Sequence, residues 1–280
     1  MVLLTAIFSV LFGLAFGSFL NVCISRLPAH NSVISPGSHC PSCGRRIYTR
    51  DNIPLLSWAL LGGRCRFCDW RIPVRYPLVE LATALLFLLS FLAFGLTLKG
   101  GGMALLCFLL LGLAVTDAEA LLLPDAFTLP GIALGVIYSG ITGGWRAALW
   151  SSFHALLAAL LVLLIRGAYW LVRRREGMGL GDVKLLAMIA AWLGPGQALL
   201  VFFLGAVGGA VFGLLLITIQ YYKEHLSRVP GHPKKNYFFL RNDTDSGTHP
   251  LPFGSFLCAA ALCVIFWGPQ ILKWYLHFFR

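Results

Sequence analysis

Two aspartates stand out by where they fall. Asp117 closes the run Leu109-Leu110-Leu111-Gly112-Leu113-Ala114-Val115-Thr116, with no basic residue beside it. Asp182 closes Gly179-Leu180-Gly181-Asp182 and leads into the apolar segment that begins Val183-Lys184-Leu185. A carboxylate at the end of an apolar span is costly to desolvate, so it marks either function or a buried ion pair. The bland alternative is a helix cap, or a contact with an arginine at the interface. The glycines ahead of Asp182 permit unusual dihedrals and the close approach of another backbone. Two carboxylates that meet cannot easily both ionise. One then stays protonated as an acid while the other acts as a base on water. Such a pair can hydrolyse a peptide bond without a metal or a covalent nucleophile.

Asp125 complicates the pairing. It follows Pro124 and opens the next apolar run, where an N-cap is the favoured role. The alternative is that Asp125, rather than Asp117, faces Asp182. Glu80 and Glu119 also lie at span ends. The remaining acids, Asp51, Asp69, Glu176, Glu224, Asp243 and Asp245, sit in basic or polar loops and read as solvated charges.

A second group of residues has metal chemistry. Cys40-Pro41-Ser42-Cys43 and Cys65-Arg66-Phe67-Cys68 are two C-x-x-C pairs with 21 residues between them, in the manner of a zinc ribbon. Gly44 suits a tight knuckle after the first pair. Four thiolates around zinc leave no open position for water, so such a zinc is structural. The alternative is four reduced or disulfide-bonded cysteines, and a cytoplasmic location disfavours disulfides. Cys23, Cys107, Cys258 and Cys263 fall in or beside apolar spans and read as packing residues.

The elements that must position these groups are membrane helices. Of 280 residues, 58% are hydrophobic and 12% charged, against about 25% charged in an ordinary soluble domain. Eight apolar spans are read near 2–24, 78–98, 102–121, 126–142, 146–171, 183–194, 197–221 and 251–276. The fourth and sixth are short of the roughly 20 residues a span requires. The sixth either extends back through the glycine-rich segment 177–181 or is a half-helix. The expected fold is all-α, a polytopic membrane protein of about eight transmembrane helices. It divides into a first helix at 1–24, a cytoplasmic zinc-binding loop at 25–77, and a transmembrane core at 78–280 interrupted by a polar loop at about 222–250.

No basic residue precedes the first span, so it lacks the charged start of a signal peptide. With the N-terminus outside, 18 of the 22 basic residues fall on the inside, as the positive-inside rule requires. The net charge of +11 follows from those loops. No basic stripe lies outside them, which argues against a nucleic-acid partner. Lipid is the expected surrounding, and both Asp117 and Asp182 fall on the cytoplasmic face.

Several segments together resemble the type IV prepilin peptidases, membrane aspartic proteases of the GxGD type. These are Gly17-Ser18-Phe19-Leu20-Asn21-Val22, Arg26-Leu27-Pro28, Arg75-Tyr76-Pro77-Leu78-Val79-Glu80, Asp117-Ala118-Glu119 with Leu123-Pro124-Asp125, Gly179-Leu180-Gly181-Asp182-Val183-Lys184-Leu185, and Pro252-Phe253-Gly254. The resemblance implies a bacterial inner-membrane enzyme with Asp117 and Asp182 as its catalytic residues. It also implies prepilin or pseudopilin substrates, whose short basic leader ends in glycine and precedes an apolar helix. Glu119 or Glu176 could hold such a leader. Members with this cysteine loop also N-methylate the new N-terminus with S-adenosylmethionine. By the same resemblance the cofactor site falls near Gly63, Arg64, Arg71, Arg75 and Glu80. The alternative is that these residues only fold the zinc loop and steady it on lipid phosphates. No G-x-G-x-x-G strand–helix fingerprint is present, so the site is not Rossmann-like. Two rival readings are a transporter with intramembrane carboxylates and a non-enzymatic zinc-bearing scaffold of a pilus or secretion machine.

Overall fold

A computed structural model describes residues 2–174, 178–227 and 251–278. Residues 175–177, with Glu176, and 228–250, most of the polar loop expected at 222–250, lie outside the described residues; 222–227 continue the helix before them. Among those that are described, the chain is helical throughout, with two isolated β-bridges in the cysteine loop and no strand. The helices are α1 (Val2–Arg26), a short α2 (Leu56–Leu60), α3 (Arg75–Phe94), α4 (Leu98–Ala120), α5 (Asp125–Arg173), α6 (Leu180–Leu193), α7 (Pro195–Ser227) and α8 (Phe253–Phe278).

By length and composition α1, α3, α4, α5 and α7 are able to cross a membrane. The 49 residues of α5 are two helices that meet at Gly144, where φ is +77°. Ser139 and Ser151 lie on opposite sides of Gly144, yet both donate to the carbonyl of Ala191, at 3.5 and 2.8 Å. The chain therefore folds back there, and the two spans expected at 126–142 and 146–171 are both present.

Small residues set how closely the helices pack, which is the usual device where lipid removes any hydrophobic drive between helices. A Cβ on Gly13 would stand 2.6 Å from the Cα of Ala84, and one on Gly17 would stand 2.7 Å from the Cα of Glu80. The backbones of α1 and α3 thus touch along a glycine stripe of four-residue spacing. Gly131 and Gly135 of α5 admit Met188 and Trp192 of α6 in the same way, and the Trp192 indole N–H donates to the Gly131 carbonyl at 2.8 Å. Gly205 of α7 receives Leu257 of α8.

The core centres on α4 and α6. Leu106, Cys107, Leu110 and Leu113 of α4, with Leu185, Met188, Ile189 and Ala190 of α6, are wholly buried. At 14 residues, α6 is about 21 Å long, short of the ~30 Å hydrocarbon thickness, and it is sheathed by other helices instead of lipid. It starts at Leu180, three residues before the apolar run expected at 183–194, so Leu180 and Gly181 are helical while Met178 and Gly179 are not.

One expectation is corrected here. Asp125 does not cap α5; Pro124 occupies the N-cap position, without a side-chain cap bond. The Asp125 carboxylate instead accepts from Lys184 Nζ at 2.6 Å. A cation 59 residues away competes successfully with the local N–H groups.

The α1–α3 contact makes a stability prediction. Gly17→Leu should force α1 from α3 and lower stability by about 2 kcal/mol, the scale of overpacking. Gly167→Ala, where a Cβ meets nothing within 4 Å, should be neutral or slightly stabilising. Thermal unfolding in detergent checks both.

Candidate active site and metal centre

Asp117 lies in the last turn of α4 and is 6% exposed; Asp182 lies in the first turn of α6 and is 8% exposed. Both border the turn between α4 and α5, where Leu123 meets Gly181, beside Asp182, and Gly254, which lies against Asp117. Each is met by N–H groups that a helix start leaves free. Asp117 Oδ2 accepts from the backbone N–H of Ser255, in the first turn of α8, at 2.6 Å, and lies 3.0 Å from the Ser255 hydroxyl. That hydroxyl also reaches the Ala114 carbonyl at 2.9 Å. Asp182 Oδ2 accepts from the N–H of Gly179 at 3.2 Å.

The glycines at this site are spatial necessities. A Cβ on Gly254 would lie 3.0 Å from Asp117 Oδ2 and 2.9 Å from the Leu123 side chain. A Cβ on Gly181 would lie 3.0 Å from the same Leu123. Leu123, in the turn between α4 and α5, is thus wedged against the starts of both α6 and α8. Cys258, one turn along α8, is wholly buried.

Two ion pairs brace the turns around the aspartates. Lys184–Asp125 joins the start of α6 to the start of α5. Arg75 at the start of α3 donates to Glu119 at 2.5 Å and to Ser25 of α1 at 2.8 Å. Asp125 is therefore engaged by lysine, and Glu119 by arginine. Ser255 is the residue the sequence reading missed. Its only signal is its place directly after Pro252-Phe253-Gly254.

The four loop cysteines converge. Their sulfur atoms lie within 4.8 Å of one another, and Cys40 Sγ is 3.7 Å from Cys68 Sγ. Tetrahedral zinc with Zn–S bonds of ~2.3 Å requires sulfurs about 3.8 Å apart, so the cluster fits that ion. Both halves have the same turn. The Cys40 N–H bonds the Arg45 carbonyl and that of Cys65 bonds the Trp70 carbonyl, each at 2.9 Å. Bridges His39–Arg46 and Arg64–Arg71 close the two turns, and Gly44 and Asp69 occupy matching positive-φ positions. Burial pushes the Cys40 thiol up, but the N–H groups of Cys43 and Ser42 and the neighbouring thiols bring it down to about 7. At Cys68 the Trp70 N–H pulls down, but burial and the other three thiols push it up to about 11, so the first proton leaves the cluster from Cys40. Arg66, inside the second pair, grips Asp51 with two bonds of 2.8 and 2.6 Å. That grip holds the Asp51 carboxyl below the usual carboxylate range.

Between this loop and α1 and α3 lies a cavity of about 640 Å³, whose walls include Ser18, Asn21, Trp58, Phe67 and Glu80. Of the five residues expected at a cofactor, Glu80 lines it and Gly63, Arg64, Arg71 and Arg75 do not. Gly63, at φ +67°, lies behind Trp58, where a Cβ would come within 3.0 Å of the indole. Arg64 and Arg71 pair as backbone in the second turn, and Arg75 faces Glu119.

Residues 11–94 match the bacterial peptidase A24 N-terminal domain, and residues 103–214 match the type IV leader peptidase family. A prepilin leader peptidase/N-methyltransferase of Pseudomonas aeruginosa is 37% identical over 96% of this chain and 93% of its own length. The chain belongs to the type IV leader peptidase family. Its similarity to other members is of the same order. The proteins of that name from Stutzerimonas stutzeri and Myxococcus xanthus are 36% and 40% identical, over 96% and 76% of this chain and 92% and 64% of their own lengths. No solved structure matches. In this leader peptidase family member both C-x-x-C pairs fall inside the first matched region and both aspartates inside the second.

Purified protein should carry about one zinc per chain, from one tetrahedral four-thiolate site. Cys68→Ser should lower that content and expose residues 30–72 to protease, with the helical circular dichroism unchanged. Elemental analysis and limited proteolysis check it.

Proposed function

We propose that this chain removes the leader from type IV prepilin-like substrates with Asp117 and Asp182, and then N-methylates the new N-terminus. The observation that carries the reading is the pair of nearly buried carboxylates at one end of the bundle, each met by helix-start N–H groups. The charge bias supports placing that end in the cytoplasm and the N-terminus outside, in a bacterial inner membrane. A prepilin's apolar helix lies in the bilayer and its basic leader in the cytoplasm, so the scissile bond sits at the depth of the aspartates.

The chemistry then needs few groups. One carboxylate takes a proton from water, and the oxygen attacks the scissile carbonyl carbon. The other, protonated, hydrogen-bonds the carbonyl oxygen and afterwards gives its proton to the departing amine. Ser255 holds one Asp117 oxygen and leaves the other for water or substrate. The product is a free amine at the same interface.

The zinc site, held by Cys40, Cys43, Cys65 and Cys68, is structural in this reading. The cavity it helps to wall is in the size range of small-molecule sites, and S-adenosylmethionine is the methyl donor we assign to it. When bound, that donor supplies an electrophilic methyl group. Gly63 serves the cavity at one remove, by leaving room for Trp58.

Mass spectrometry of a co-expressed prepilin tests the peptidase. Asp182→Asn should leave the leader attached, a loss of about a thousandfold or more in rate. Asp125→Asn, which removes a half-exposed ion pair, should cleave at nearly the normal rate. A dead Asp125 variant beside an active Asp117 variant would reassign the dyad. Ser255→Ala should lower kcat about tenfold with KM unchanged, the size of one hydrogen bond to a charged group.

A further inference from the structure

The membrane end of the cavity contains one acceptor that the protein leaves unmatched and, on the facing helix, a carboxylate with no cation among the described residues. Asn21 of α1 is 2% exposed. Its Nδ2 donates to the Tyr76 carbonyl at 3.0 Å, which fixes the amide so that Oδ1 is the acceptor. That Oδ1 is buried and has no donor in the protein. Such an atom calls for explanation, because buried polar groups in native proteins are nearly always paired.

Glu80 of α3 is 8% exposed, and its carboxylate receives the Leu55 N–H at 2.8 Å. Among the described residues no basic side chain pairs with it. Asp51, the other acid in the cavity wall, is fully taken by Arg66. Leu55 holds the unusual φ of +58° and ψ of −48° while its N–H points at Glu80, so the backbone is bent to keep this carboxylate in place. Ser18 and Asn21 lie one turn apart on α1, as Tyr76 and Glu80 do on α3. The glycine-stripe contact at Gly17 brings these two turns together.

An orphaned amide oxygen beside an unpaired carboxylate asks for a donor with positive charge. We propose that Asn21 Oδ1 and the Glu80 carboxylate receive a primary amine at the floor of this cavity. The proposal rests on reading the cavity as the methyl-transfer chamber. Two amines have this chemistry: the N-terminal amine of the cleaved pilin, and the α-amino group of the methyl donor. For the pilin amine, Glu80 accepts one proton from the ammonium and frees its lone pair. The nitrogen then bonds to the methyl carbon as the carbon–sulfur bond breaks, and that bond pair leaves on sulfur as a neutral thioether. The product leaves as the N-methyl ammonium, and Glu80 returns its proton to water. For the donor's amine, the pair acts as a clamp and exchanges no proton.

The test uses the full chain in detergent with two probes. One is S-adenosylhomocysteine, followed by calorimetry. The other is a synthetic peptide with a mature pilin N-terminus, followed by its methylation. Asn21→Leu and Glu80→Gln are compared with wild type, with zinc content and melting temperature measured on each. Asn21→Leu should melt no lower than wild type, since it removes an unpaired buried acceptor. Asn21→Ala takes its place if it does not fold. A rise of about tenfold in the peptide KM, with homocysteine-probe affinity unchanged, supports the proposal and assigns the amine to pilin. A tenfold weaker probe affinity with peptide KM unchanged supports it and assigns the amine to the donor. Variants that match wild type in both overturn the amine site alone. Wild-type protein that neither binds the probe nor methylates the peptide overturns the reading of the cavity, and the proposal with it.

Discussion

The structure depends on keeping two carboxylates at the edge of a membrane without leaving either bare. An ionised group taken from water needs donors close at hand. Here those donors are backbone amides that two helix starts leave free. The Ser255 N–H at the start of α8 serves Asp117, and the Gly179 N–H before α6 serves Asp182. A helix start can approach this closely only where side chains are missing. That explains Gly254 against Asp117, and Gly181 and Gly254 against the one Leu123 side chain. The short, sheathed α6 serves the same end, since it brings Asp182 to the aspartate of α4 while lipid is kept away by α5.

The cysteine loop answers a different constraint. It buries almost none of its apolar residues, with Ile34, Ile53, Leu56 and Leu60 exposed, and among its fixed points are the sulfur cluster, the Asp51–Arg66 grip and the Leu55–Glu80 bond. Those points hold open a chamber between polar loop and membrane helices. Arg75 links the chamber to the peptidase end, since it bonds both Ser25 of α1 and Glu119, two residues beyond Asp117. On the proposed assignment, a bond cut at the aspartates would leave its new amine on the side of the bundle that Arg75 ties to α1.

How much of this was legible in the sequence follows from how local each feature is. The helices were readable because apolar blocks and intervening charges need no partner to be recognised. The fold-back at Gly144 was readable from the polar break between two such blocks. The two knuckles were readable because their geometry is set within each C-x-x-C turn. Asp125 was misread as a cap because its partner, Lys184, is brought in by tertiary packing. Ser255 and Asn21 lay next to or inside segments that carried the resemblance, but their contacts could not be read there, since they reach across 138 and 55 residues. Resemblance alone put Gly63, Arg64, Arg71 and Arg75 at a cofactor; none of the four lines the cavity, because the second knuckle and the Glu119 ion pair engage them elsewhere.

The central claim is that Asp117 and Asp182 act as one unit, and a double-mutant comparison tests it most directly. Leader cleavage would be followed by mass spectrometry for Asp117→Asn, Asp182→Asn and the protein with both changes. Groups that share one proton-transfer task fail together, so the double variant should be no slower than either single one. Losses that multiply, with the double variant far below both, would contradict the account, because each aspartate would then be contributing separately.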